Sequence, residues 1–155
     1  MPGTFNGTTL TISATPVDRA PIPDEGATNV AGIAIVGSDM YCVKTTGLKT
    51  TLLKTTDYTT AKATAVKKDL NWFALGLTKI GNYLYMLAED HKGYGGSTTI
   101  VKLDTKGNQL GTYNIKNICP NGALGITAAD GTNEKFIIMH YTDSNNAGTL
   151  TFRRL

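Results

Sequence analysis

Three short stretches of this chain are apolar with almost no alternation: residues 40–43, 83–88 and 136–141. A strand with one face in water alternates apolar with polar positions, so a run such as Tyr83-Leu84-Tyr85-Met86-Leu87-Ala88 predicts a strand covered on both faces. Each run follows a segment that opens on small residues and a glycine and then turns aliphatic. These segments are Ala31-Gly32-Ile33-Ala34-Ile35, Ala74-Leu75-Gly76-Leu77-Thr78 and Ala123-Leu124-Gly125-Ile126-Thr127. A polar tip carrying Gly or Asn separates the two members of every pair, which predicts a hairpin. Gly32 and Gly76 are 44 residues apart and Gly76 and Gly125 are 49 apart, the spacing of a unit of four strands.

Third strands are predicted at 50–54, 99–103 and 149–153, with threonine-decorated patterns that suit a position nearer a rim. The middle copy continues through Asp104-Thr105-Lys106-Gly107-Asn108 into a fourth strand at 109–115, with Gly107 able to take the positive φ of a tight turn. In the first copy the fourth strand is predicted at 62–67. The third copy reaches Leu155 after its third strand, while a strand-like segment at 8–14 precedes the first copy. One strand is surplus and one is missing.

This layout resembles β-propeller repeats of the NHL or YVTN-like sort across nearly the whole chain, through the strand starts, the apolar second strands and the Asp104-to-Asn108 hairpin. The resemblance implies an all-β fold in one domain, half a propeller made of three four-stranded blades at 31–70, 74–116 and 123–155, the last lacking its final strand. Closed rings typically carry four to eight blades, and unpaired strand edges invite aggregation. Two chains are therefore expected to form a six-bladed ring as a homodimer. Residues 8–14 of one chain would be the clasp, completing the third blade of the other by strand exchange at the N-terminus. A monomeric β-sandwich or an unusual barrel is the structural alternative.

Composition narrows the partners. With 155 residues, 41% of them hydrophobic and 17% charged, the chain can bury a core of its own. A net charge of +3, with no run of Lys or Arg longer than two, gives no reason to expect a nucleic-acid partner. No stretch is long and apolar enough for a membrane span, and residues 1–10 lack the pattern of a signal peptide. A cytoplasmic or virion-associated location is the expectation. Cys42 and Cys119 form no CxxC pair and read as free buried thiols.

Catalytic signatures are scarce: no GxSxG elbow, HExxH helix, Walker loop or dinucleotide turn occurs. Gly93-Tyr94-Gly95-Gly96 joins two strands without opening a helix, so it reads as a strand connection and not as a phosphate cradle. His140, in an apolar strand, reads as a core histidine. No catalytic residue, metal site or cofactor is expected. In a propeller the connections from second to third strands and those between blades share one face, and here they are polar and aromatic. The candidate ligand-binding residues are Trp72, Glu89, Asp90, His91, Tyr94, Tyr141, Asp143 and Asn145. An aromatic plate flanked by amides and carboxylates suits a sugar ring or a protein surface, although Trp72, beside Phe73 just before a strand start, reads more readily as a wedge between blades. The reading is a non-catalytic, lectin-like recognition module, with a structural component of a larger particle such as a phage virion as the alternative. A hydrolase or lyase is the third possibility, weakened because Ile33, Ile35, Leu77, Thr78, Ile126 and Thr127 occupy the first strands where a channel would need acids or histidines.

Overall fold

The computed structural model describes residues 3–5, 10–12, 29–56, 63–89, 98–129, 133–142 and 150–154. All of its regular structure is β. The strands are β1 (Gly3–Phe5), β2 (Leu10–Ile12), β3 (Asn29–Val36), β4 (Asp39–Thr46), β5 (Lys49–Thr55), β6 (Thr64–Leu70), β7 (Phe73–Ile80), β8 (Tyr83–Glu89), β9 (Thr99–Leu103), β10 (Gln109–Asn114), β11 (Ala123–Ala128), β12 (Phe136–Tyr141) and β13 (Leu150–Arg154). Two four-stranded meanders, β3-β4-β5-β6 and β7-β8-β9-β10, precede a three-stranded one, β11-β12-β13. Every pairing within them is antiparallel.

The three apolar runs lie in β4, β8 and β12, the second strand of each sheet. Leu84, Tyr85, Met86, Leu87 and Ala88 are all buried, so β8 has core on both faces. One core lies between the first two sheets, where Tyr41, Val43 and Leu52 meet Leu77, Met86 and Val101. A second lies between the second and third sheets, where Tyr85, Leu87 and Ile100 meet Phe136 and Ile138. Successive strand residues point to opposite faces, so the alternate residues of β8 feed the two cores in turn.

The first strands β3, β7 and β11 lie side by side across the stack. Each carries a bulge beside its glycine: the register slips between Ala31 and Ile33, between Ala74 and Gly76, and between Ala123 and Gly125. The repeated small-Gly-aliphatic start is thus one structural device used three times. An added residue there sharpens the twist and turns the aliphatic side chain toward the neighbouring sheet.

One expected boundary changes. The fourth strand of the first sheet runs from Thr64 to Leu70, three residues past its predicted end, because Leu70 is buried in the first core and anchors that end. The segment expected to complete the third sheet of a second copy pairs locally in this chain: Leu10–Ile12 pair with Gly3–Phe5, and β13 is an edge of its sheet among the described residues. Only four positions separate β1 from β2, and a short hairpin closes at less entropic cost than a pairing across the whole sequence. Residues 8, 9, 13 and 14 of the clasp segment lie outside the described residues.

Candidate functional site

The meander topology puts the start of each first strand, the end of each second strand and the start of each third strand at one end of its sheet. Phe73 pairs with Glu89, and Ala88 with Thr99, so Trp72 and Glu89 belong to the same end of the second sheet. Tyr141 closes β12 at the corresponding end of the third. Asp90, His91, Tyr94, Asp143 and Asn145 lie outside the described residues.

Trp72 is half-buried and packs against the first core. Its indole Nε1 donates to Gln109 Oε1 at 3.1 Å, and its carbonyl accepts from Thr50 Oγ1 at 2.7 Å. Thr50 has a single hydroxyl proton, so its oxygen accepts from Thr45 Oγ1 at 3.0 Å and from the Ala74 amide at 3.2 Å. This fully buried hydroxyl ties β5 to the segment entering β7. Trp72 is therefore held at a seam between sheets. Tyr141 is half-buried, and its amide donates to the Gly122 carbonyl at 3.2 Å. His140 is buried, with Nδ1 at 2.9 Å from the Tyr141 carbonyl. A carbonyl can only accept, so Nδ1 carries the proton. Nε2 meets no hydrogen-bond partner among the described residues.

The most highly organised polar cluster lies at the opposite end of the sheets, at residues the sequence did not mark as a site. Glu134, in the connection from β11 to β12, reaches back to the second sheet. Its Oε1 accepts from Tyr85 Oη at 2.6 Å and from Lys102 Nζ, and its Oε2 accepts from Tyr113 Oη at 2.5 Å. Lys102 Nζ also stands 4.4 Å from the centre of the Tyr83 ring and 5.6 Å from that of Tyr85, close enough for cation–π attraction. The Lys102 ammonium and the two phenols hold the Glu134 carboxyl down at about 2. Burial, reinforced by the Glu134 hydrogen bond, pushes the Tyr85 phenol up to about 12.

The first sheet carries a related arrangement. Tyr41 stands opposite Lys54 in the ladder as Tyr85 stands opposite Lys102. Asp39 Oδ2 accepts from Lys54 Nζ at 2.9 Å and from Tyr41 Oη at 3.3 Å. The recurrence of Tyr and Lys at matched repeat positions was the available sequence signal; the acid comes from a different element each time and gives no such signal. A carboxylate with three donors and a strongly lowered pKa is a poor proton acceptor at neutral pH. The Glu134 cluster is accordingly a clamp between sheets. Among the described residues, no group of three or more His, Cys, Asp or Glu side chains could hold a metal ion.

No family model matches the chain, and no curated protein does. Among solved structures, it is similar to the crystal structure of a calcium-binding protein, regucalcin, from Agrobacterium tumefaciens strain C58. The TM-score is 0.54 at 15% sequence identity, over 81% of this chain and 45% of that one. The sheets are β-propeller blades. At this identity the likeness speaks to fold alone, and the chain spans less than half the length of the structure it matches. Among the described residues the first two blades have four strands and the third has three, and β3, β7 and β11 are their adjoining first strands.

Proposed function

We propose that this chain is a non-catalytic recognition module, its ligand met by the blade end that carries the second-to-third-strand connections. The observation that carries the reading is the common placement of Trp72, Glu89 and Tyr141 at that end of their sheets. The intervening sequence supplies Asp90, His91, Tyr94, Asp143 and Asn145 between those same strands. Rigid strands with polar-aromatic connections are the usual arrangement for binding surfaces, and aromatic faces beside amides and carboxylates suit a carbohydrate or a polar protein surface. The opposite end is occupied by groups already bonded to one another, Glu134 with Tyr85, Lys102 and Tyr113.

A glycan array and a peptide panel probed with the purified, folded chain test this. Expected are binders whose signal falls at least tenfold on Tyr94→Ala or Asp143→Ala while the circular dichroism spectrum stays that of a β protein. A folded chain with no binder on either panel would overturn the proposal.

A further inference from the structure

Neighbouring blades meet by one rule. Gly32 of the first blade lies against Leu77 of the second, and Gly76 of the second lies against Ile126 of the third. Leu77 and Ile126 directly follow Gly76 and Gly125 in sequence. Each blade thus offers a bare glycine to the next and inserts into the previous one the aliphatic residue after its own glycine.

Two members of this series are left without mates among the described residues. Ile33 follows Gly32 and is the first blade's counterpart of Leu77, yet it is 64% exposed where Leu77 is 4% exposed. Val30 and Ile35 on the same strand are 44% and 54% exposed. In the ladder Ile33 stands beside Cys42 and Cys42 beside Leu53, so Ile33 shares its face with the small cluster of Cys42, Leu53 and Ala63. A cleft of about 430 Å³, lined in part by Leu53, Ala63 and Thr51, opens on that face. The other unmatched member is Gly125. Over Gly76 the place of a side chain is taken by Ile126 Cγ2, 3.1 Å from where a Cβ would sit. Over Gly125 it is taken by Met139 of the same blade, with Cε at 3.5 Å. A methionine is unbranched and readily repacked.

The geometry points to a second copy of this chain as the occupant: the Ile33 face of each copy docks on Gly125 and Met139 of the other, and two such seams close a six-bladed ring. One molecule carries both the open knob and the open seat, so the contact is head-to-tail and must close or polymerise. Six is the only multiple of three within the four to eight blades of closed propellers. The regucalcin structure, of which this chain matches 45%, holds in one polypeptide about what two copies would supply. The seam is made by sheet faces and needs no exchange of the N-terminal strand.

Light scattering on the purified chain tests the inference, with a mass twice the 16.5 kDa of one chain expected. Gly125→Val fills the seat. Gly125 is not held at positive φ, and among the described residues a Cβ there meets only Met139, at ordinary contact distance, so the blade itself tolerates the change. Ile33→Asp puts a charge on the knob at an exposed position. Each variant is expected to run at single-chain mass with an unchanged circular dichroism spectrum. Leu110→Asp, at a residue 52% exposed on β10, is expected to keep the doubled mass. Single-chain mass for the unaltered protein, or doubled mass retained in both seam variants, would overturn the proposal.

Discussion

Gly32 has no room for a side chain: a Cβ built on it would stand 2.1 Å from the backbone nitrogen of Leu77, on the first strand of the next blade. Backbone cannot swing aside as a side-chain tip can, and Gly32 also sits at φ +68, a conformation that costs other residues energy. Gly32→Ala is expected to destabilise the chain by about 3 kcal/mol, combining backbone strain with overpacking. Gly47→Ala has the strain alone, at φ +59 with nothing within 4 Å, and is expected to cost about 1 kcal/mol. Urea unfolding of both variants checks the difference; equal costs would mean that the blades do not meet so closely.

Thr50 allows a test of the hydroxyl bridge. Thr50→Val keeps the shape but strips the Trp72 carbonyl and the Ala74 amide of a buried partner. The expected loss is about 2 kcal/mol by chemical unfolding, with Thr50→Ser recovering most of it.

Glu134 should be visible in the pH dependence of stability. Its carboxyl is held at about 2 against an ordinary 4.5. A lowered carboxyl stabilises the fold above its unfolded value and loses that contribution as pH falls through its folded value. The melting temperature of the unaltered chain should therefore exceed that of Glu134→Gln near neutral pH, with the gap closing between about 4.5 and about 2. A gap independent of pH would indicate a purely steric effect.

Tyr85 works in the other direction, with a phenol raised from 10.0 to about 12. Its contribution is complete below 10 and is lost as pH rises through about 12. Tyrosinate absorbance should show one fewer phenol titrating near 10 in the native chain than in Tyr85→Phe plus one free tyrosine. Equal titration would remove the hydrogen bond to Glu134.

Trp72 separates the wedge from the ligand plate. Its half-buried ring packs on the first core, so Trp72→Ala is expected to cost about 2 kcal/mol, below the range for fully buried aromatics. An unchanged midpoint in urea would free the residue for ligand contact alone.

Much of this could be read along the chain. Unalternating apolar runs at Tyr83 to Ala88 and Phe136 to Tyr141 require cover on both faces, so sheets stacked on either side are implicit in the sequence. The Asp104-to-Asn108 turn is equally local: the Asp104 carboxylate accepts from the Lys106 and Asn108 amides, each at 2.8 Å, and Gly107 takes φ +78. Periodicity and turn chemistry depend on neighbours in sequence, and these the amino-acid order specifies.

Contacts across a seam do not have that property. Glu134 looks like any loop acid until folding sets it beside Tyr85, 49 positions away, and the strand pattern at Leu10–Ile12 carried no signal of its pairing with Gly3–Phe5. The sequence alone determined the strands of the three meanders, their order and which of them needed cover on both sides, because side-chain alternation and turn preference act over a few residues. Only the tertiary structure decided that Glu134 closes a clamp, that Gly32 seats Leu77, and that Ile33 and Gly125 find no mate on a neighbouring blade among the described residues, because closeness between residues distant in sequence is set by how whole sheets pack.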